Sequence, residues 1–294
     1  MILFAKRNLK VYFRDKGSVF FSILSVLIVI GLYALFLGDQ LIKSVENFDE
    51  TRTNEIKFLV NSWLIAGILS VTSISTTLGA FGVIVDDKVK KIDKDFRCSP
   101  ISRSSIAGGY ILNSFLIGVI MSVIAFAVGE IFIVASGGEL LPFESILKVL
   151  GMILLTVLSA SSMMFFVVSF FNSTNAYATA STIIGTLIGF ITGMYLPVGS
   201  MPEGVATVVK LFPISHAASI FRKIFMDVPF EQTFEGVPKE VADTAVNTLR
   251  QDLGVDFTIG TWDVSILDSI LILIASAILF YILGIIVISR KRKV

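Results

Sequence analysis

The sequence predicts an all-α integral membrane protein with six transmembrane helices. Three observations carry that expectation. Hydrophobic residues make up 54% of the chain and charged ones only 16%, where soluble domains carry about a quarter. Six apolar stretches are long enough to span a bilayer, and the basic residues crowd into alternate connections between them. The mean hydropathy of +0.85 agrees with all three.

A spanning helix needs about 20 mostly apolar residues to cross roughly 30 Å of hydrocarbon. The stretches 18–37, 58–85, 106–136, 145–171, 177–196 and 266–288 qualify. The fourth and fifth are separated only by the polar, turn-prone run FNSTNAY. Basic residues then set the direction, because cytoplasmic connections carry the excess of Lys and Arg. Lys6, Arg7, Lys10, Arg14 and Lys16 precede the first span; Lys88, Lys90, Lys91, Lys94, Arg97 and Arg103 lie between the second and third; Arg290, Lys291, Arg292 and Lys293 follow the sixth. Segments 38–57, 137–144 and 197–265 are acidic on balance. The expectation is a multi-pass protein of the cell membrane with both termini cytoplasmic. The charged start is too long for the n-region of a signal peptide. One cysteine, Cys98, excludes an internal disulfide.

Residues 1–16 read as an amphipathic interfacial helix, with Ile2, Ala5, Leu9, Tyr12 and Phe13 on one face, bases on the other, and Gly17 ending it. In the connection VDDKVKKIDKDFRCSP, Val85, Val89, Ile92 and Phe96 recur at helical spacing. Asp86/Lys90, Asp87/Lys91, Lys91/Asp95 and Asp93/Arg97 fall at i,i+4 on the other faces, and Pro100 stops the pattern. This predicts one short cytoplasmic helix over 86–97. A lipid-facing helix would be basic on its polar side, so the mixed signs of Lys88, Lys91 and Asp95 favour a protein partner.

Residues 201–226 are apolar but interrupted by Lys210, Pro213, His216, Arg222 and Lys223. A crossing here would spoil the charge asymmetry, so the expectation is an outer re-entrant hairpin between spans five and six. Pro202 precedes it, and it breaks at Phe212–Pro213. Residues 230–260 follow as an outer surface segment with a helix near 238–253.

Catalytic chemistry is not legible. No G-x-x-x-x-G-K-[ST] run occurs to hold ATP phosphates, and a lone His216 assembles neither a triad nor a metal site. No nucleic-acid partner is expected. Glu130 toward the outer end of span three and Asp268 at the start of span six are the acids that intramembrane cost singles out, Glu130 as a pathway residue or an interfacial one. Gly185, Gly189 and Gly193 recur every four residues in span five, a stripe that admits a neighbouring backbone.

The order of these features resembles an ABC-2 type transporter permease, the membrane subunit of a type V ABC exporter. SPISRSSIAGGYIL is similar to that family's stretch entering the third span, and MPEGVATVVKLFPISHAASIFR to its outer hairpin. VDDKVKKIDKDF departs from the acidic Glu-Arg-Gly style run that the family often shows there. The resemblance implies a single transmembrane domain over 1–294 that exports an amphipathic antibiotic, peptide or lipid-like molecule. Separate ATP-binding subunits would hold ATP and magnesium, leaving this chain without a cofactor. It implies a second permease copy, identical or homologous, with span five at their interface, and it makes the 86–97 helix the coupling element. A peptide sensor or immunity component, and an ion-coupled secondary transporter, are the rival readings.

Overall fold

The computed structural model describes residues 2–33, 52–98 and 102–290. The elements are α1 (Ile2–Arg14), α2 (Lys16–Leu32), α3 (Thr53–Val89), α4 (Ile92–Cys98), α5 (Arg103–Ala135), α6 (Phe143–Ser169) and α7 (Thr174–Ile191). They continue with α8 (Glu203–Leu211), α9 (Pro213–Phe225), α10 (Asp227–Thr233), α11 (Lys239–Asp252), the strands β1 (Thr258–Ile259) and β2 (Trp262–Asp263), and α12 (Ile266–Arg290). The two strands form an antiparallel hairpin with Thr258 opposite Asp263.

The chain is therefore an all-α membrane protein. Four helices, α3, α5, α6 and α12, are each long and apolar enough to cross a bilayer, and counting each bent pair as one span brings the number to as many as six. The bent pairs are α1 with α2, at 73°, and α8 with α9, at 88°. The first and fifth expected spans fall on α2, with 17 residues, and α7, with 18 residues and a Thr-rich first half. Residues 38–51 of the first outer segment lie outside the described residues.

α3 is the axis. Its 37 residues reach about 56 Å at 1.5 Å each, well beyond a hydrocarbon core of ~30 Å. It is apolar on every side, the signature of a helix buried all round, and α2, α5, α6, α7 and α9 all pack on it. Leu59, Ile65, Leu69, Ile74, Phe81 and Val85 are fully enclosed. Lipid is as apolar as leucine, so close packing and hydroxyl bonds must hold such helices together. Gly129 of α5 admits Ile65, whose Cγ2 lies 2.5 Å from where a Cβ would stand. The Ser159 and Ser276 hydroxyls join α6 to α12 at 2.8 Å, and the Ser114 hydroxyl donates to the Thr77 carbonyl at 3.2 Å.

At the end away from the basic clusters, α8 and α9 meet at Phe212–Pro213, where the proline takes the first helical position of α9. Proline lacks an N–H that a helix start would leave unused anyway. α9 is enclosed by α3, α6 and α12, while α8 turns Val205, Val208 and Leu211 outward.

Two local expectations are corrected. Gly17 does not end the first helix; α1 stops at Arg14 and Gly17 lies inside α2. The single helix over 86–97 is two pieces, because α3 runs on to Val89 and α4 starts at Ile92.

Candidate functional site

At the basic end, the last turns of α3, all of α4, the start of α5 and α1 converge. α1 carries no acid and buries Phe4, Ala5, Asn8 and Tyr12, leaving Ile2 and Leu3 outside. That face is rotated from the one expected, because α1 lies against α5 and follows its side chains. The face also delivers Arg7 to the end of α3.

Arg7 grips Asp87 with two hydrogen bonds, Nη1 to Oδ2 at 2.7 Å and Nη2 to Oδ1 at 2.9 Å. Tyr110 of α5 donates to the same Oδ2 at 2.6 Å. A forked guanidinium on a carboxylate is a strong and directional pair, and Asp87 is almost fully enclosed. The Asp87 bond raises the Arg7 guanidinium further above its ordinary value, against a smaller effect of burial. Around the pair, the Phe4 ring meets Phe96 edge-on at 4.8 Å and Tyr110 at 4.9 Å, and Arg7 lies 5.4 Å over Phe96. The cluster thus ties α1 to the end of α3 and the start of α5, and Phe96 joins α4 to it through α1.

Between α3 and α4 the chain turns at Lys91, whose φ of 60° is left-handed. For a residue with a Cβ this costs roughly 1–2 kcal/mol. The turn divides the four residues expected on one face. Val85 is buried, Val89 is exposed, and Ile92 and Phe96 are half-buried. Lys91 and Asp95 are exposed. Lys88 is committed, its ammonium donating to the Phe171 carbonyl at 3.0 Å just past the end of α6, a position where the helix dipole favours a cation. Asp86 and Lys90 form the expected i,i+4 ion pair at 3.4 Å, whereas Asp87 has gone to Arg7; the Asp93 and Arg97 side chains lie outside the described residues.

The three glycines of α7 have three surroundings. A Cβ at Gly185 would meet nothing within 4 Å, whereas one at Gly189 would strike the Tyr195 ring at 2.2 Å. Gly193, at φ 64°, ends the helix: its N–H bonds the Phe190 carbonyl and the Met194 N–H bonds that of Gly189, a Schellman closure. Most of α7 is exposed, with Ile183, Leu187 and Phe190 outward. Glu130 is buried and accepts the Leu141 N–H at 3.1 Å, which holds the short connection after α5. Asp268 is exposed and caps the start of α12 by accepting the Ser265 N–H at 2.9 Å.

In the hairpin, Pro202 is exposed and Phe212 half-buried. His216 is enclosed, its Nδ1 3.2 Å from the Ser269 hydroxyl. The residue that organises this end is one that sequence reasoning took for an interruption. Arg222 is wholly buried, donates to the Thr192 and Gly193 carbonyls at 2.9 and 2.8 Å, and lies 5.1 Å over the Trp63 ring. Trp63 in turn donates to the Leu253 carbonyl at 2.8 Å. A signal existed: Arg222 stands in an apolar helix with no acid at i±3 or i±4.

What these arrangements offer is docking and mechanical linkage; among the described residues no group of three His, Cys, Asp or Glu could hold a metal ion. The class is a polytopic helical membrane protein with a pinned elbow at its basic end and a broken helix pair at the other. A family model described as ABC-2 family transporter protein matches residues 41–286, so the chain belongs to the ABC-2 transporter family and is a permease of that type. No curated protein matches it in sequence.

Proposed function

We propose that this chain is the membrane-spanning subunit of an ATP-driven exporter in the cell membrane, with both termini cytoplasmic. Separate ATP-binding subunits hold ATP and magnesium and dock on the basic end. The observation that carries this reading is the elbow itself. The elbow presents Val89 at the end of α3, Lys91 at the turn and Asp95 of α4 outward, while Phe96 is locked to Phe4 and Arg7 of α1. A push on α4 would therefore reach α1, α3 and α5 together, through the Arg7–Asp87–Tyr110 cluster. Family membership supports the partner, since ABC-2 permeases typically work with an ABC ATP-binding subunit.

Two copies of the chain, or one copy and a homologue, build the pathway, with the outward Ile183, Leu187 and Phe190 of α7 facing the second copy. The cargo is an amphipathic molecule such as an antibiotic, peptide or lipid-like compound, because the spans expose few charges. Nucleotide and cargo favour different arrangements of the same helices, which couples them reciprocally.

The test is reconstitution. Alone, the purified chain should hydrolyse no ATP. Co-expressed with an ABC ATP-binding subunit, it should co-purify with it and stimulate nucleotide-driven movement of an amphipathic dye. Robust hydrolysis by the isolated chain, or failure to retain any ATP-binding subunit, would remove the reading. Retention of a peptide at the outer end without movement would favour a sensor instead.

A further inference from the structure

The outward side of α1 carries one sign of charge. Lys6, Lys10 and Arg14 are exposed and stand four residues apart, which sets them in one stripe about 12 Å long at 1.5 Å per residue. No acid stands three or four residues from any of them, and like charges at that spacing weaken a helix. Elsewhere the exposed bases Lys90 and Lys148 meet Asp86 and Glu144 one turn away, at 3.4 and 2.8 Å. Beside the stripe Ile2, Leu3, Val11 and Phe13 are exposed too, so bases and apolar side chains share one surface. The other side of α1 is seated, with Phe4 against Phe96 and Tyr110 and Arg7 on Asp87. α1 stands at 73° to α2, the first expected span, so an α2 that crosses the bilayer lays α1 along its surface.

We propose that this stripe docks on an anionic phospholipid leaflet, and that headgroup charge sets how firmly α1 holds the elbow at Asp87. Charge pattern decides the occupant. An unbroken basic stripe interleaved with apolar residues fits headgroups lying over acyl chains, whereas the mixed signs of Asp86, Lys90, Lys91 and Asp95 on the adjoining elbow fit a protein. Phosphates opposite the stripe offset the repulsion among its bases, so an anionic leaflet favours the helical, seated form of α1. Arg7 and Phe4 belong to that same helix and carry the effect to α3, α4 and α5 through Asp87, Phe96 and Tyr110. Nothing in this docking depends on an ATP-binding subunit.

The test uses the purified full-length chain in nanodiscs, with backbone amide exchange read peptide by peptide. Discs of phosphatidylcholine alone are compared with discs in which phosphatidylglycerol replaces part of it. With phosphatidylglycerol, exchange in α1 should slow several-fold, α4 should follow, and α11 at the other end should not change. Molar salt, which shortens the reach of exposed charges to about 3 Å, should erase the difference. The triple variant Lys6→Gln, Lys10→Gln, Arg14→Gln keeps the seated face of α1. It should melt as wild type does in phosphatidylcholine and ignore phosphatidylglycerol. Arg7→Met separates docking from relay: α1 should still respond, and α4 should follow it less. Equal exchange of α1 in the two discs overturns the docking, as does a phosphatidylglycerol effect that survives molar salt or the three substitutions. Protection of α1 that comes only on adding an ATP-binding subunit, whatever the lipid, assigns the stripe to a protein and overturns it too. An α4 that follows as fully in Arg7→Met overturns the relay. The lipid comparison contains no ATP-binding subunit, so it succeeds or fails independently of the permease reading.

Discussion

Arg7 closes on Asp87 across eighty residues of chain, with hydrogen bonds of 2.7 and 2.9 Å. The pair joins an amphipathic N-terminal helix to the end of the axial helix. Removing Arg7 would leave a nearly buried carboxylate with Tyr110 as its remaining partner. Breaking a fully buried pair costs about 3–5 kcal/mol, and the partial exposure of Arg7, at 35%, lowers the expected loss to about 1–3 kcal/mol. Arg7→Met should therefore speed proteolysis of α1 in the reconstituted protein, and Asp87→Asn should do so less. The double variant should fall short of the sum of the two. Strict additivity would show that the contact carries no coupling.

Phe96 and Lys88 test the elbow from two sides. Phe96→Ala removes the ring that meets Phe4 and Arg7; burial is partial, so the loss is below the 3–5 kcal/mol of a core aromatic. Assembly with an ATP-binding subunit, or transport per ATP, should drop while membrane insertion persists. The sequence pattern places Lys88 on a dispensable polar face, but its bond to the Phe171 carbonyl predicts a measurable effect. Lys88→Ala should loosen the end of α6, by about 1 kcal/mol. Both variants are read by pull-down and by export per ATP hydrolysed.

Elements set by local pattern were legible from sequence, and pairings across the chain were not. Pro213 marks the break between α8 and α9 because a proline's effect is local. The helix expected near 238–253 forms as Lys239–Asp252 for the same reason. Asp87 reads locally as the partner of Lys91, and nothing at i±4 reveals that Arg7 outcompetes it with a forked, less solvated donor. The rotated face of α1 has a similar cause. Ile2 and Leu3 are as apolar as Phe4, so only the neighbouring Tyr110 and Phe96 decide which goes inside. Arg222 was hidden because its acceptors are backbone carbonyls, which leave no trace in side-chain composition.

Topology is open to thiol labelling. Glu139 and Glu240 are exposed at the acidic end and Lys91 at the basic end, while the native Cys98 is exposed and must first become serine. In that background, cysteines at Glu139 and Glu240 should react with an impermeant reagent applied to intact cells. One at Lys91 should react only after permeabilisation. Labelling of the Lys91 site from outside would reverse the orientation and detach α4 from any cytoplasmic ATPase.

The segment between α9 and α12 has an acid-sensitive fastening. Burial pushes the Asp256 carboxyl up, but the hydrogen bonds and charges of Arg250 and Lys223 outweigh it and hold it below the ordinary carboxylate range. The contacts are 2.6 Å to Arg250 and 2.8 Å to Lys223. A depressed carboxylate binds protons more readily unfolded than folded, so its stabilisation is present above the unfolded value, about 3.9, and is lost as pH falls through the folded one. Protease resistance of this segment should be flat from neutral pH down to about 5 and should fall below about 4. Asp256→Asn should remove that acid step and lower resistance at neutral pH. A step that survives Asp256→Asn would assign it to another group.

Arg222 gives the sharpest test of what holds the hairpin. Its guanidinium serves the carbonyls at the closing turn of α7 and lies over Trp63, while Trp63 fastens Leu253. One side chain therefore ties α9 to α7, to α3 and, through Trp63, to the end of α11. Arg222→Met keeps much of the volume but strands two carbonyls at about 1–3 kcal/mol each, and it loses the contact with the Trp63 face, worth up to about 2 kcal/mol when desolvated. Arg222→Lys restores charge but not the fork, so it should recover only part of the loss. Trp63→Phe removes the donor to Leu253 and should cost about 1 kcal/mol. The readouts are thermal unfolding in nanodiscs and protease cutting between residues 230 and 260. The expected order of stability is wild type, then Trp63→Phe, then Arg222→Lys, then Arg222→Met. An Arg222→Met protein as stable as wild type would mean that these carbonyls find water as readily as they find Arg222, and that the hairpin is held by its apolar contacts alone.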